Sequence, residues 1–364
     1  MRVAHRFIIA IVALAFAAAW GLTASNGAQA QMVKDGKINI VYANTYQPTW
    51  PATQIYNRDV ERKLASFSNN RITVEKFFGN TLCSEHKCVE QMDQKSVDLT
   101  NISVGNAGAF GRTLDFLILP FLFESDAAGI EIMHEWLTAY LNQQMARPGD
   151  MNLHIVSWMP WCGYRQLLHN VDRDIKVPGD LKGVKMRTTK SPAEFALMKA
   201  WGAVAVPYDW TQVYTGLQSG IIEGMFNMEC HLEMSDFHEV MKRSTHVNGA
   251  WHISMMVQNA KRRDAELPDW AKQAIDRTGR YLDTTILAYD AGLTKITLDT
   301  LEAKRGVKIY RPNADELKLW RKGAVGVWAS DEFKGSFDTK TVRRILNEQG
   351  NDAFIKELEA AGAL

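Results

Sequence analysis

Residues 180–227 set two helix-period stretches between three short apolar runs, and that alternation constrains the fold more than any other feature of the chain. The run 184–188, Val-Lys-Met-Arg-Thr, suits a strand. Ser191, Pro192 and Glu194 follow in the pattern Ser-x-x-Glu with proline at the first helical position, which opens a helix. That helix is expected to run through Phe195, Met198 and Trp201 and to stop at Gly202, after which 203–206 forms a second apolar strand bounded by Pro207. A further helix fits 211–218, and Ile222 to Asn227 supplies a third strand. Strand, helix, strand, helix, strand predicts a parallel sheet with crossover helices. In such sheets ligands gather at the carboxyl ends of strands, where Arg187 and Asn227 both fall. A cation fixed there suits holding an acid better than doing chemistry.

The N-terminus reads as an export signal. Arg2, His5 and Arg6 precede an apolar run over 7–19, and Ala28-Gln29-Ala30 has the small-x-small form of a cleavage site, with Gln31 as the expected first mature residue. The apolar run is short for a membrane span, and no cysteine follows the site to take a lipid. Removing 30 of 364 residues leaves about 334, enough for two domains with proper cores. With 46% hydrophobic and 10% aromatic residues the chain is not disordered, and 42 basic against 41 acidic residues point away from a nucleic-acid partner.

The first half repeats the alternation of the middle. Strands are expected over 37–43, 71–78 and 97–103, with helices over 52–67 and 85–94 between them. The glycine-bearing stretch 105–111 lacks the Gly-x-x-x-x-Gly-Lys of a phosphate loop and reads as a cleft-side turn. A strand is expected over 249–258, and 269–305 keeps apolar residues at helical spacing long enough to brace two domains. Four cysteines in an exported chain invite disulfides, with Cys83 and Cys88 the candidates for a local bridge. A metal site using His86 would need two further ligands that the neighbourhood does not offer. Spacing leaves open whether Cys162 and Cys230 pair.

The central block, together with Gly163 to Asn170 (GYRQLLHN), the GVKIY after the long helix and the exported N-terminus, resembles the solute-binding proteins of TRAP transporters, the tripartite ATP-independent periplasmic carriers of organic acids. The resemblance covers essentially the whole mature chain. It implies a two-lobed α/β periplasmic binding protein, each lobe a mostly parallel sheet flanked by helices, that closes over its ligand and delivers it to a membrane permease. It implies no cofactor and no metal. The expected organisation is a signal peptide over 1–30, lobe I over 31–155 with a return segment at about 250–268, lobe II over 156–249, a bridging helix over 269–305 and C-terminal helices over 306–364.

Carried over residue by residue, the resemblance places Arg187 on the family arginine that grips the ligand carboxylate and Arg165 on a second, ligand-dependent arginine. Asn227 falls on the asparagine that closes the carboxylate site, Trp210 on a cleft aromatic, and Ser103 where the other lobe presents a polar side chain. Where many members carry Gly-Gln-Glu-Asn-Pro, this chain reads Gly224-Met225-Phe226-Asn227-Met228. With Phe226 and the nearby Trp50, Trp158, Trp161, Tyr164 and Trp251, this points to an apolar pocket wall and a monocarboxylate or sulfonate rather than an ordinary dicarboxylate. The bland alternatives are core roles for the tryptophans, a surface ion pair for Arg187 and backbone satisfaction for Asn227. His154, His169, His231, His246 and His252 show no metal spacing and read as structural or surface groups. The rival class is an exported hydrolase or lyase. The chain lacks a Gly-x-Ser-x-Gly elbow or a zinc motif for it, and Cys162 is its best candidate nucleophile.

Overall fold

The computed structural model describes residues 33–364, so the export signal expected over 1–30 lies outside the described residues. Two parallel three-stranded units form as the local patterns require. In the first, β2 (Lys37–Asn44) lies between β3 (Ile72–Phe78) and β4 (Leu99–Ser103), with the short β1 (Val33–Lys34) antiparallel to β2. In the second, β6 (Lys185–Thr188) lies between β7 (Val204–Pro207) and β8 (Gly224–Asn227). The crossover helix Pro192–Ala200 starts as predicted, with the Ser191 hydroxyl accepting from the Glu194 N–H. The next crossover is shorter than expected: a 3₁₀ turn, Trp210–Gln212, precedes the helix Val213–Gln218.

Two strands of 17 residues, β5 (Leu153–His169) and β9 (Arg243–Asn259), pair antiparallel and join the units into one path, with β4 beside β9 in the first lobe and β8 beside β5 in the second. A tenth strand, β10 (Lys308–Tyr310), runs parallel to the start of β9. The expectation of mostly parallel sheets therefore holds for the three-stranded units, while the shared β5/β9 ribbon is antiparallel. Its register shifts between Ile155 and Ser157, Pro160 and Tyr164, and Arg165 and Leu167. Such bulges bend a strand and re-aim its side chains.

The long helix is Asp269–Lys304, 36 residues. At 1.5 Å per residue it reaches about 54 Å, and it contributes to two separate cores. Ala271, Ala274, Ile275, Leu282 and Ile286 pack with the first-lobe sheet, and Leu301 packs with Leu168, Val213 and Met225 of the second. Between these it grips the irregular part of β5. A Cβ on Gly279 would stand 1.8 Å from the Val156 carbonyl oxygen, so only glycine lets the backbones approach this closely. One turn on, Asp283 Oδ1 accepts from the Trp158 N–H and the Ser157 hydroxyl, each at 2.7 Å. Two turns further, Asp290 Oδ1 accepts from the Cys162 N–H at 2.6 Å. The helix thus supplies acceptors to N–H groups that the bulges remove from the sheet ladder.

Burial pushes the Asp290 carboxyl up to about 7, the Cys162 N–H opposing it. Because the folded value lies above the unfolded value of about 3.9, this group's contribution to stability is fully present below about pH 4 and lost as pH rises through about 7. The melting temperature of Asp290→Asn is therefore expected to gain on that of the wild type between pH 5 and pH 8. A constant offset across that range would contradict the assignment.

Both disulfides are formed. Cys83 bridges Cys88, as the spacing suggested, and Cys162 bridges Cys230 across 68 residues. By the chain-entropy relation these closures restrict the unfolded chain by about 2 and about 4 kcal/mol.

Candidate functional site

The carboxyl ends of β4, β6 and β8 and the bent middle of β5 converge on a partly open cavity of about 30 Å³. Five of the six ligand-binding candidates line it: Arg187, Arg165, Asn227, Trp210 and Ser103. Each reaches it for a local reason. Arg187 is the third residue of β6, and its buried side chain donates from Nε to the Tyr208 carbonyl at 3.0 Å, with the guanidinium 5.8 Å from the Trp210 ring centre. Its Nη2 has no hydrogen-bond partner. Arg165, in β5, donates from Nη1 to the Phe226 carbonyl at 2.9 Å and stands 3.7 Å from Glu194 Oε2. Asn227 ends β8 and accepts from the Met228 N–H. Ser103 ends β4, caps the short helix Val104–Ala107 and donates its own N–H to Glu85 at 3.2 Å.

Phe226 does not reach the cavity. Strand alternation turns it to the opposite face from Asn227, where it is fully buried, edge-on to Trp201 and packed over Gly249. The aromatic that replaces an acidic residue in the family pattern is therefore core, and only its carbonyl, on Arg165, serves the site. Of the other aromatics, Trp161 lines the cavity and Trp50 sits directly behind it, with ring centres 5.3 Å apart. Trp158 donates to Thr138, Tyr164 to the Phe123 carbonyl, and Trp251 packs on Phe123, all outside this cavity.

Sequence reasoning missed Tyr46, Glu85, Asn106, Thr189, His231 and His252, which complete the lining. Glu85 sits at the first position of the helix Glu85–Asp93, inside the Cys83–Cys88 loop, and carried no motif of its own. Its carboxylate is held by the Ser103 N–H, the Tyr46 hydroxyl at 2.8 Å and the Asn106 amide. The Tyr46 hydroxyl also meets Ser254, which in turn meets His252. His231, read as structural, lies among the rings of Trp50, Trp161 and Trp210. Burial, then Arg165 and Arg187, pull its pKa down to about 3, and burial also holds His252 well below the ordinary histidine value.

Neutral histidines leave the positive charge of the cavity to the two arginines. Glu194, anchored by the Thr189 N–H and hydroxyl, stands against Arg165. Burial pulls Arg187 below its ordinary value, with Glu194 opposing, yet a guanidinium stays charged in proteins. A buried cation with an unused donor on a small cavity is suited to receive an anion. It is not suited to nucleophilic chemistry, because the thiol proposed for that role is absent: Cys162 is bonded to Cys230. Among the described residues no group of three or more His, Cys, Asp and Glu side chains is placed to hold a metal ion.

Two lobes joined by a crossing strand pair, with an arginine-bearing cavity between them, define a periplasmic binding protein of the organic-acid type. The family of bacterial extracellular solute-binding proteins, family 7, matches residues 42–334, and this chain belongs to it. The chain is 29% identical over 240 residues to a solute-binding protein from Verminephrobacter eiseniae, covering 65% of this chain and 68% of that one. It is 24% identical over 320 residues to the ectoine-binding periplasmic protein TeaA of Halomonas elongata, covering 82% and 92%. A TRAP periplasmic solute-binding protein from Pseudomonas putida with bound D-glucuronate shares the fold at a TM-score of 0.76 and 21% identity, over 85% of this chain and 96% of that one. The protein is thus a periplasmic TRAP-type solute-binding component and not an enzyme. Among the described residues no helix is long and apolar enough to cross a membrane.

Proposed function

We propose that the cavity captures a small organic anion whose carboxylate, or a sulfonate in its place, sits on Arg187, flanked by Arg165 and Asn227. The observation that carries this reading is the unpartnered, buried Nη2 of Arg187 on the cavity wall. Arg165 is the weaker claimant, since Glu194 and the Phe226 carbonyl already engage one of its nitrogens. That arrangement favours a ligand with one full negative charge over an ordinary dicarboxylate. Trp161, Trp210, Tyr46 and His231 contact the body of the ligand. Ser103 and Asn106 close on it from lobe I (31–155 with 250–268), lobe II being 156–249 and the helix over 269–305 bridging them. The loaded protein then hands its ligand to a membrane permease driven by an ion gradient.

Closure brings Gly105 of the first lobe against Thr189 of the second, where a Cβ would stand 2.7 Å from the threonine hydroxyl oxygen. Gly105→Val is therefore expected to weaken ligand binding by about tenfold or more by holding the lobes apart, with little effect on the melting of the unliganded protein. Unchanged affinity in a calorimetric titration would place the closing contact elsewhere.

The ligand class is tested by thermal shift against acids that include D-glucuronate, ectoine, C4-dicarboxylates, aromatic monocarboxylates and sulfonates. At a hundredfold excess over Kd a ligand adds about 2.7 kcal/mol, a shift of about 4 °C for a protein of this size. One small class of monoanions is expected to respond. A response confined to dicarboxylates, or to uncharged compounds, would overturn the reading.

A further inference from the structure

Cys162 is held by its backbone and by its side chain at once. It lies in β5 within the break of register between Pro160 and Tyr164, and its backbone is left-handed, with φ 60°, followed by Gly163 at 67°. A non-glycine residue persists in that conformation only when its surroundings impose it. Two contacts do so: the Cys162 N–H donates to Asp290 Oδ1 at 2.6 Å, and the sulfur is bonded to Cys230. The segments tied together here are those that carry the cavity wall. Trp161 precedes Cys162 and Arg165 follows it by three, and both line the cavity. On the other side of the bridge, Asn227 lies three residues before Cys230 and His231 comes directly after it, and these line the cavity too.

We propose that Cys162, Cys230 and Asp290 are positioning residues for ligand binding, fixing the bend of β5 so that Trp161 and Arg165 meet Asn227 and His231 around one anion. The inference rests on the reading of this cavity as the ligand site. None of the three touches the cavity, so their effect on a ligand passes through the four residues they orient. The left-handed pair Cys162–Gly163 lets four steps of β5, from Pro160 to Tyr164, stand against two of β9, from Ile253 to Trp251, and so bends the strand between Trp161 and Arg165. Without the bridge and the Asp290 acceptor, the bend is free to relax toward ordinary strand geometry.

The test is hydrogen–deuterium exchange of the mature protein as wild type, Cys162→Ser/Cys230→Ser, Asp290→Ala and Asp290→Asn. Amides over 161–165 are expected to exchange about tenfold faster or more in the double variant and in Asp290→Ala, and near the wild-type rate in Asp290→Asn, which keeps an acceptor. Amides of β6 and β7 are expected to change by less than about twofold. Unchanged exchange over 161–165 would overturn the proposal. So would equal acceleration across β6 and β7, which would make the bridge a general brace. If the double variant does not fold, the two Asp290 variants decide alone. The acid panel is run on the same proteins, and an acid that stabilises the wild type is expected to lose most of its shift in the double variant. A wild type that responds to no acid would count against the ligand class, while the exchange pattern still decides the positioning.

Discussion

Replacing Arg187 by alanine is expected to lower affinity for the best acid by about 2–5 kcal/mol, roughly 30- to 4000-fold. The ligand's charge would enter the cavity with only Arg165 to meet it, and Arg165 already stands against Glu194. Arg187→Lys is expected to recover little, since an ammonium cannot present two parallel N–H groups while also bonding the Tyr208 carbonyl. The unliganded variant should melt at or above the wild-type temperature, because a buried guanidinium with an unpartnered nitrogen is removed. Calorimetric titration and thermal melting check the two halves separately. Retained affinity with a lowered melting temperature would make Arg187 a structural residue.

Gly279→Ala carries the largest expected effect on stability. In an ordinary helix interior the substitution gains about 1 kcal/mol. Here the added carbon would stand 1.8 Å from the Val156 oxygen and 2.8 Å from its carbonyl carbon, both backbone atoms. The helix must retreat from β5, which weakens the Asp283 and Asp290 contacts one and three turns away. A loss of about 3–5 kcal/mol follows, read as a lower urea midpoint. A variant as stable as the wild type, or more so, would show that the helix does not bear on β5 at this point.

The parallel units were legible because their signals are local. Ser191, Pro192 and Glu194 announce a helix within four residues, and the runs at 185–188 and 224–227 are short and apolar. The shared ribbon was not legible as such. β5 contains Pro160 and Gly163 and shifts register three times, so its inward and outward residues do not alternate over its length. Only its last part was noticed, through the family resemblance around Arg165.

The same division runs through the site. Arg187, Asn227 and Ser103 end or nearly end regular strands, where a position in the sequence fixes a direction in space. Phe226 falls outside the cavity although it adjoins Asn227 in the chain, because successive strand residues face opposite sides. Glu85, His231 and His252 reach the site through a disulfide loop, a helix start after β8 and a strand shared between lobes. None of these has a sequence spacing that points at Arg187. The Cys162–Cys230 bridge closes 68 residues, a separation from which no pairing can be read.

The central claim is that a single anionic group, received by Arg187, anchors the ligand. It is tested most directly by titrating the wild-type protein with the best-binding acid and with its primary amide, which keeps the body and removes the charge. The account predicts that the acid binds at least about 100-fold more tightly than the amide. Equal affinities would mean that the aromatic wall, not Arg187, holds the ligand.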